Sequence, residues 1–160
     1  MPLPSWLGLY RDQLEEAANQ FFPAGPFDLY DLAAICDRES CGGLTLHPKG
    51  PGGTGDGGHG HGLMQIDDRS FPEFCGSDKW KSPRENILFG ALVLSLKWKA
   101  LGAKSQAIAA YNCGVGNVRR ALREGQNIDR YTTFRNYSAD VSKRAAKFRE
   151  AEGNHALSST

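Results

Sequence analysis

The sequence lacks both a long uninterrupted hydrophobic run and a strong net charge. Its longest apolar stretch, residues 87–96, is interrupted by Gly90 and Ser95, and it falls well short of the ~18 to 20 residues needed to cross a bilayer. The formal net charge is only +1, because 19 Lys and Arg residues face 18 Asp and Glu residues. No overall polycation is available to hold nucleic acid. We therefore expect no membrane span and no nucleic-acid partner. We also expect a monomer.

The N-terminus also lacks the pattern of a secretory signal. The opening Met-Pro-Leu-Pro-Ser-Trp contains neither a charged n-region nor a long apolar h-region, so export would require a signal that was removed or another route. With 160 residues, 40% of them hydrophobic, the chain fits a single domain spanning 1–160 with an ordinary core.

Helical periodicity, caps and helix breakers dominate the rest of the chain. They predict helices within residues 1–26, 28–40, 82–101, 105–111, 117–125 and 137–151. Asp28, Ser82, Ser105 and Asn117 are the expected N-caps of four of them, and residues 153–160 should fray. Strand patterns are weak outside 44–46 and 63–66. The predicted fold class is mainly α, with at most a small β-sheet or hairpin.

Glycine is concentrated in one segment. Residues 42–62 contain ten glycines and two prolines, which leaves little side chain to pack and favours an irregular loop. Long loops inside compact domains are often functional.

Positive charge is concentrated in the C-terminal third. Residues 118–149 carry nine Lys and Arg against Glu124, Asp129 and Asp140. This region could face an anionic polymer, although a solvated helix face is the commoner explanation of such a pattern.

Four cysteines, Cys36, Cys41, Cys75 and Cys113, make an even count. Two disulfides with three possible pairings are one interpretation. Four free thiols are the other, and the sequence does not choose between them.

Glu39 is the acidic residue whose position suggests chemistry. It falls at helical spacing with Leu32, Ile35 and Cys36, on an apolar stripe of the predicted second helix. Desolvation there disfavours the charged carboxylate and raises its pKa, as a general acid requires. The alternative is that Glu39 reaches solvent or pairs with a cation such as Arg38.

Several short motifs follow one another along the chain. They are Arg38-Glu39-Ser40, Gly62-Leu63-Met64-Gln65-Ile66-Asp67, Asn86-Ile87 with Gly90, Ala109-Ala110-Tyr111-Asn112-Cys113-Gly114-Val115-Gly116-Asn117-Val118, and Tyr137-Ser138-Ala139-Asp140-Val141. Their order and approximate spacing resemble those of goose-type lysozymes and the related soluble lytic transglycosylases, over residues of about 30–148. The resemblance implies a lysozyme-like fold and bacterial peptidoglycan as the partner.

The resemblance also implies an activity. Glu39 matches the family's catalytic acid, which protonates the β-1,4 glycosidic oxygen between N-acetylmuramic acid and N-acetylglucosamine without a cofactor. Asp56 and Asp67 match two aspartates that position the attacking water in goose-type lysozymes. A turn-forming role for Asp56 and a helix-capping role for Asp67 are the structural alternatives. The aspartates favour hydrolysis over lytic transglycosylation, in which the muramic C6 hydroxyl attacks.

The same comparison suggests substrate contacts. Gln65 and Asn112 resemble family residues that hydrogen-bond the sugars, a task suited to amides with both donors and acceptors. Tyr111 and Tyr137 should line the pocket of the acid, with Tyr137 bonding Glu39, although Tyr111 could equally be a plain core aromatic. The full predicted substrate-binding set is Met64, Gln65, Tyr111, Asn112, Tyr137 and His61.

His59 and His61 form a His-x-His pattern near Asp56 that could suggest a metal. The spacing lacks a further ligand, so we expect no metal site and assign these histidines to substrate contact or loop polarity. A glycan-binding protein without turnover is the competing class, but the acid retained on an apolar face counts against it. An enzyme of this kind would work outside the cell or in the cell wall as a bacteriolytic, antimicrobial protein.

Overall fold

The computed structural model describes residues 2–159, so Met1 and Thr160, the two ends of the predicted domain, lie outside it. The described chain is mainly α with a small sheet, as predicted. The α-helices are α1 (Ser5–Phe21), α2 (Leu29–Ser40), α3 (Pro72–Gly76), α4 (Pro83–Leu101), α5 (Lys104–Cys113), α6 (Val115–Arg123) and α7 (Tyr137–Ser158). The strands are β1 (Thr54–Gly55), β2 (Gly60–His61) and β3 (Ile66–Asp67).

Capping chemistry sets the start of α2. The side chain of Asp28 accepts hydrogen bonds from the backbone N–H groups of Tyr30 and Asp31, and the Asp31 carboxylate accepts from the Asp28 N–H in return. This reciprocal pair satisfies donors that the first helical turn leaves free. The cap fixes where α2 begins, and the helix then runs to Ser40 and carries Glu39 in its last turn.

The central helix α4 begins and ends as the sequence predicts. Ser82 accepts from the N–H of Glu85, Pro83 occupies the first turn, and Gly102 closes the helix at φ 75°, a left-handed conformation that glycine adopts without strain. The helix packs against α1 on one side and α5 on the other. No helix within residues 2–159 is long and apolar enough to span a membrane.

The glycine-rich segment contains more order than its composition predicts. Its second half and the residues that follow form an antiparallel sheet in the order β1-β2-β3, with Thr54 opposite His61 and Gly60 opposite Asp67. The strand expected at 44–46 is wrong, because that stretch is a series of turns. A Cβ at Gly60 would lie 2.1 Å from Oε1 of Gln65, so a larger residue there would displace the end of the Gln65 side chain.

Several local predictions differ from the structure at helix ends. Ala103 rather than Ser105 precedes α5, and Gly114 rather than Asn117 precedes α6, so each helix starts earlier than predicted. The short helix α3 was not predicted. Helix α7 continues to Ser158 instead of ending near residue 151, so the fraying expected from 153 onward is wrong for the residues described.

The four cysteines are all free thiols. Cys36 and Cys75 are buried, whereas Cys41 and Cys113 are partly exposed. The sequence left disulfides and free thiols open as alternatives. The structure contains the free-thiol arrangement.

One buried side chain fastens the glycine-rich segment to α4. Asn86 is fully buried; its Oδ1 accepts from the N–H of Met64 at 2.8 Å, and its Nδ2 donates to the carbonyl of His61 at 3.0 Å. Ser40 fastens the same segment to α2 by donating to the carbonyl of Leu63 at 2.7 Å. These bonds hold the segment against the helical body.

Replacing Asn86 with Ala should lower the free energy of unfolding by about 3 kcal/mol, because two buried backbone groups lose their partners. Urea unfolding followed by circular dichroism measures the change. The exposed Asn19→Ala is the control, with an expected change within about 0.5 kcal/mol. Equal stability of the two variants would show that Asn86 does not fasten the segment.

Candidate active site

Glu39 lies in the last turn of α2 and is partly buried where that helix meets α7. Its Oε1 accepts a hydrogen bond from the hydroxyl of Tyr137 at 2.5 Å, as the sequence predicts. Tyr137 is the first residue of α7 and is only 1% exposed. The carboxyl is therefore held in one position by a side chain that packing keeps from moving.

Burial controls the protonation of Glu39. Desolvation raises the pKa of its carboxyl to about 7, with a smaller contribution from the negative charge of Asp56. The Tyr137 hydrogen bond and the positive charge of Arg38 act in the opposite direction but do not offset the burial. Glu39 can thus hold a proton near neutral pH and release it to a ligand.

Arg38 does not pair with Glu39, which was the structural alternative for this carboxyl. Its guanidinium donates to Asp140 at 2.6 Å and to Asn136 at 3.1 Å, and it lies 5.3 Å from the centre of the Tyr137 ring. Arg38 therefore ties α2 to the start of α7 and supports the tyrosine that bonds Glu39.

Tyr111 forms the other buried side of the acid's pocket. Its hydroxyl donates to the carbonyl of Met64 at 2.7 Å. Met64 itself is fully buried and packs against Gly90, where a Cβ would lie 2.9 Å from its side chain. The Met64 side chain therefore fills the core behind the cleft, and the predicted contact of this residue with substrate stays a prediction.

An open cleft of about 370 Å³ lies above the acid. It is lined by Glu39, Asp56, Gly60, Gln65, Asp67, Arg69, Tyr111, Asn112 and Thr133. A neighbouring cavity of about 280 Å³ shares four of these residues, Gln65, Asp67, Tyr111 and Asn112. The two cavities form one elongated groove, a shape suited to a polymer.

Asp56 and Asp67 lie on the sheet side of this cleft and are joined by Arg69. The guanidinium of Arg69 contacts Asp56 Oδ2 at 3.0 Å and Asp67 Oδ1 at 2.8 Å. Burial acts to raise the pKa of Asp67, but hydrogen bonds from Arg69 and Ser70 outweigh it and lower that pKa. Asp67 is thus held ionised.

The sequence analysis did not single out Arg69 or Thr133. The signal for Arg69 was its position two residues after Asp67, on the segment that the family motif already placed at the site. The side chain of Asp56 is 71% exposed, and its backbone adopts a positive φ of 51°. Asp56 therefore does occupy a turn. Asp67 caps no helix, since α3 begins only at Pro72.

Gln65 and Asn112 both line the cleft, but part of the hydrogen-bonding capacity of each amide is already used by other residues of the chain. Gln65 donates to the carbonyl of Gly62 at 2.9 Å. Asn112 accepts from the N–H of Thr133 at 2.8 Å and donates to its hydroxyl at 3.2 Å. One N–H of each amide remains for a ligand.

His61 is not among the residues that line this cleft, and its contact with substrate stays a prediction. It lies on the opposite face of β2 from Gly60, edge-on to Trp80 with ring centres 4.7 Å apart. His59 and His61 contact the two oxygens of Asp68 at 2.8 Å and 3.2 Å. Neither histidine pairs with Asp56, whose carboxylate is bound by Arg69.

The transglycosylase SLT domain family matches residues 29–134. The chain belongs to this family. Among curated SLT relatives, lysozyme g of Takifugu rubripes is 31% identical over 90% of the chain and 76% of its own length. Lysozyme g of Casuarius casuarius is 33% identical over 74% of the chain. The resemblance to goose-type lysozymes and lytic transglycosylases is confirmed.

Other relatives of this SLT domain are longer than the chain. A glycine, glutamate and proline-rich protein of Lottia gigantea is 33% identical over 76% of the chain, which spans 30% of that protein. The chain spans 63% of the Casuarius casuarius lysozyme g. It therefore corresponds to part of these relatives.

The raised pKa of Glu39 has a consequence for stability. The folded state binds the Glu39 proton more tightly than the unfolded chain does, so stability from this group is present below pH 4.5 and is lost as pH rises through about 7. Replacing Glu39 with Gln should therefore stabilise the SLT domain at pH 8 by up to roughly 3 kcal/mol. The same change should have little effect at pH 4.

Urea unfolding at pH 4 and pH 8 measures this effect. Replacement of the exposed Glu150 with Gln is the matched control, with little change at either pH. A Glu39→Gln variant that is no more stable than the parent at pH 8 would contradict a desolvated carboxyl.

Proposed function

We propose that this chain is a peptidoglycan muramidase that hydrolyses the β-1,4 bond between N-acetylmuramic acid and N-acetylglucosamine. The observation that carries the proposal is the arrangement across the cleft, where a carboxyl with a pKa of about 7 faces two aspartates bound to Arg69. Glycoside hydrolysis requires such a pair of carboxyl groups with opposite protonation. Relatives named lysozyme g support the same activity.

Glu39 would supply the proton. With a pKa of about 7 it is about half protonated at neutral pH and largely protonated in mildly acidic solution. It would donate this proton to the glycosidic oxygen while the anomeric carbon gains oxocarbenium character. The hydroxyl of Tyr137 donates to the Glu39 carboxyl, and a donor favours the charged form. Tyr137 would therefore stabilise the carboxylate that remains after proton transfer.

Asp67 and Asp56 would position water on the opposite face of the sugar. Asp67 is held ionised by Arg69 and Ser70, so it can accept a hydrogen bond from water and orient it toward the anomeric carbon. Attack from the face opposite the acid inverts the anomeric configuration. Gln65, Asn112 and Tyr111 line the same groove and would contact the sugars.

Lytic transglycosylation is the second candidate activity. It is favoured by the description of the matched family as a transglycosylase domain and by Arg69, whose two ion pairs engage the carboxylates otherwise available to activate water. In that reaction the C6 hydroxyl of the muramic residue attacks, and the product carries a 1,6-anhydro end.

A glycan-binding protein without turnover is less compatible with the site. Binding alone gives no reason to keep a carboxyl desolvated, since burial of an ionisable group costs stability.

The proposed substrate also sets the location of action. Peptidoglycan lies outside the cytoplasm, so we infer that the protein acts at the cell wall or in the extracellular space, where wall cleavage would make it bacteriolytic.

Purified peptidoglycan treated with the protein should release fragments with reducing muramic ends, detected by mass spectrometry. Glu39→Gln should lower the rate by about 10³-fold, because it removes proton donation while preserving shape. Glu150→Gln is the control, with an unchanged rate. Fragments with 1,6-anhydro ends would instead establish transglycosylation. The absence of fragments at every pH tested would favour the hypothesis of a glycan-binding protein without turnover.

Replacing Arg69 with Gln should move the acid limb of the pH profile of kcat/KM to higher pH. The variant loses hydrogen bonds that lower the pKa of Asp67, while the burial that raises it remains. A base works only when deprotonated, so activity falls at a higher pH during acidification. The alkaline limb, set by Glu39 near pH 7, should move less.

The control for this experiment is Arg123→Gln, a change of an exposed arginine on α6. It should leave both limbs in place. An acid limb that is the same in the parent and in Arg69→Gln would exclude Asp67 as the group that activates water.

A further inference from the structure

The turn before α7 carries an exposed aromatic side chain on a strained backbone. Phe134 is 85% exposed, and both Phe134 and Arg135 have positive φ values, 58° and 54°. Left-handed backbone is unfavourable for residues with a Cβ. Two such residues in succession, neither of them glycine or asparagine, persist only when the surrounding structure imposes the conformation.

The residues on each side of this tip are fixed to the body of the protein. Thr133 is bonded to Asn112 by its N–H and its hydroxyl, and its carbonyl accepts from Arg38 at 3.2 Å. Arg38 also donates to the side chain of Asn136. The turn is therefore clamped at both ends, and only Phe134 and Arg135 project from it.

The clamp places the tip at the rim of the catalytic cleft. Thr133 lines the same cavity as Glu39, and its partner Asn112 lines both halves of the groove. The side chains at the tip have no internal role, because within residues 2–159 Phe134 makes no ring contact and Arg135 makes no ion pair. Strain and apolar exposure are thus concentrated beside the site without a compensating contact.

We propose that the Phe134–Arg135 tip contacts the peptidoglycan strand at the cleft rim and favours its peptide-bearing form. The electron-rich face of the Phe134 ring matches the C–H face of a sugar ring. The guanidinium of Arg135 matches the carboxylates of the peptide stems. The inference rests on the proposed function, since it assumes the same polymer in the same groove.

Binding to insoluble peptidoglycan, measured with Glu39→Gln as the parent so that no substrate is consumed, tests the proposal. Adding Phe134→Ala should weaken the affinity by about fivefold, the size of one aromatic contact. Adding Leu9→Ala, which removes a 69% exposed apolar side chain from α1, should leave the affinity unchanged.

Phe134→Gly separates binding from folding. Glycine adopts a φ of 58° without strain, so this variant should be at least as thermally stable as the parent while its affinity falls as in Phe134→Ala. A merely structural role for Phe134 would lower the melting temperature of both variants.

Arg135→Gln separates the two side chains of the tip. It should weaken binding to peptidoglycan by about twofold to threefold and leave binding to a carboxylate-free N-acetylglucosamine polymer unchanged. Arg123→Gln is the matched control and should affect neither polymer.

The outcomes distinguish this proposal from the proposed activity. The parent could bind peptidoglycan in a way that depends on Phe134 while the wild-type chain releases no fragments. This result would support the proposed contact of the tip and contradict the proposed muramidase activity. Equal affinity of the parent and the Phe134 variants, or no binding by the parent, would overturn the tip proposal.

Discussion

The desolvated carboxyl of Glu39 is the constraint on which the rest of the site depends. A partly buried acid costs stability when ionised, so the surrounding helices must be held firmly enough to keep water from reaching it. Tyr137 is buried beside Glu39 only because α7 starts at that residue. That start is in turn fixed by the buried Asp129, whose carboxylate accepts from the N–H groups of Ser138 and Ala139.

The two walls of the cleft are built on different principles. The Glu39 wall consists of packed helices, whereas the aspartate wall is a sheet of two-residue strands with few side chains of its own. Such a sheet is not stable alone, and it is held by bonds from Asn86, Ser40 and Tyr111 to its backbone. Glycine suits this wall because it lets neighbouring backbones and side chains approach closely.

The starts of the helices were predicted well where the N-cap residue bonds groups only a few positions further along the chain. Asp28 and Ser82 were correct as N-caps because a cap bonds the next turn of the same helix. Ser105 and Asn117 were wrong as N-caps, since α5 and α6 begin earlier, after Ala103 and Gly114, neither of which makes a side-chain capping hydrogen bond. The sequence allowed a small sheet or hairpin, but local signals did not predict its register, because strands of two residues carry no alternating pattern of hydrophobic side chains.

The sequence by itself determined the mainly α fold and the family. It also singled out Glu39, because helical spacing puts that carboxyl on an apolar face whatever its partners are. Tertiary structure alone decided what faces the cleft. His61 and Met64 belong to the same short segment as Gln65, yet only Gln65 reaches the groove. Pairing and packing choose the face for each side chain, and Arg69 gained its role only when folding brought Asp56 and Asp67 within reach of one guanidinium.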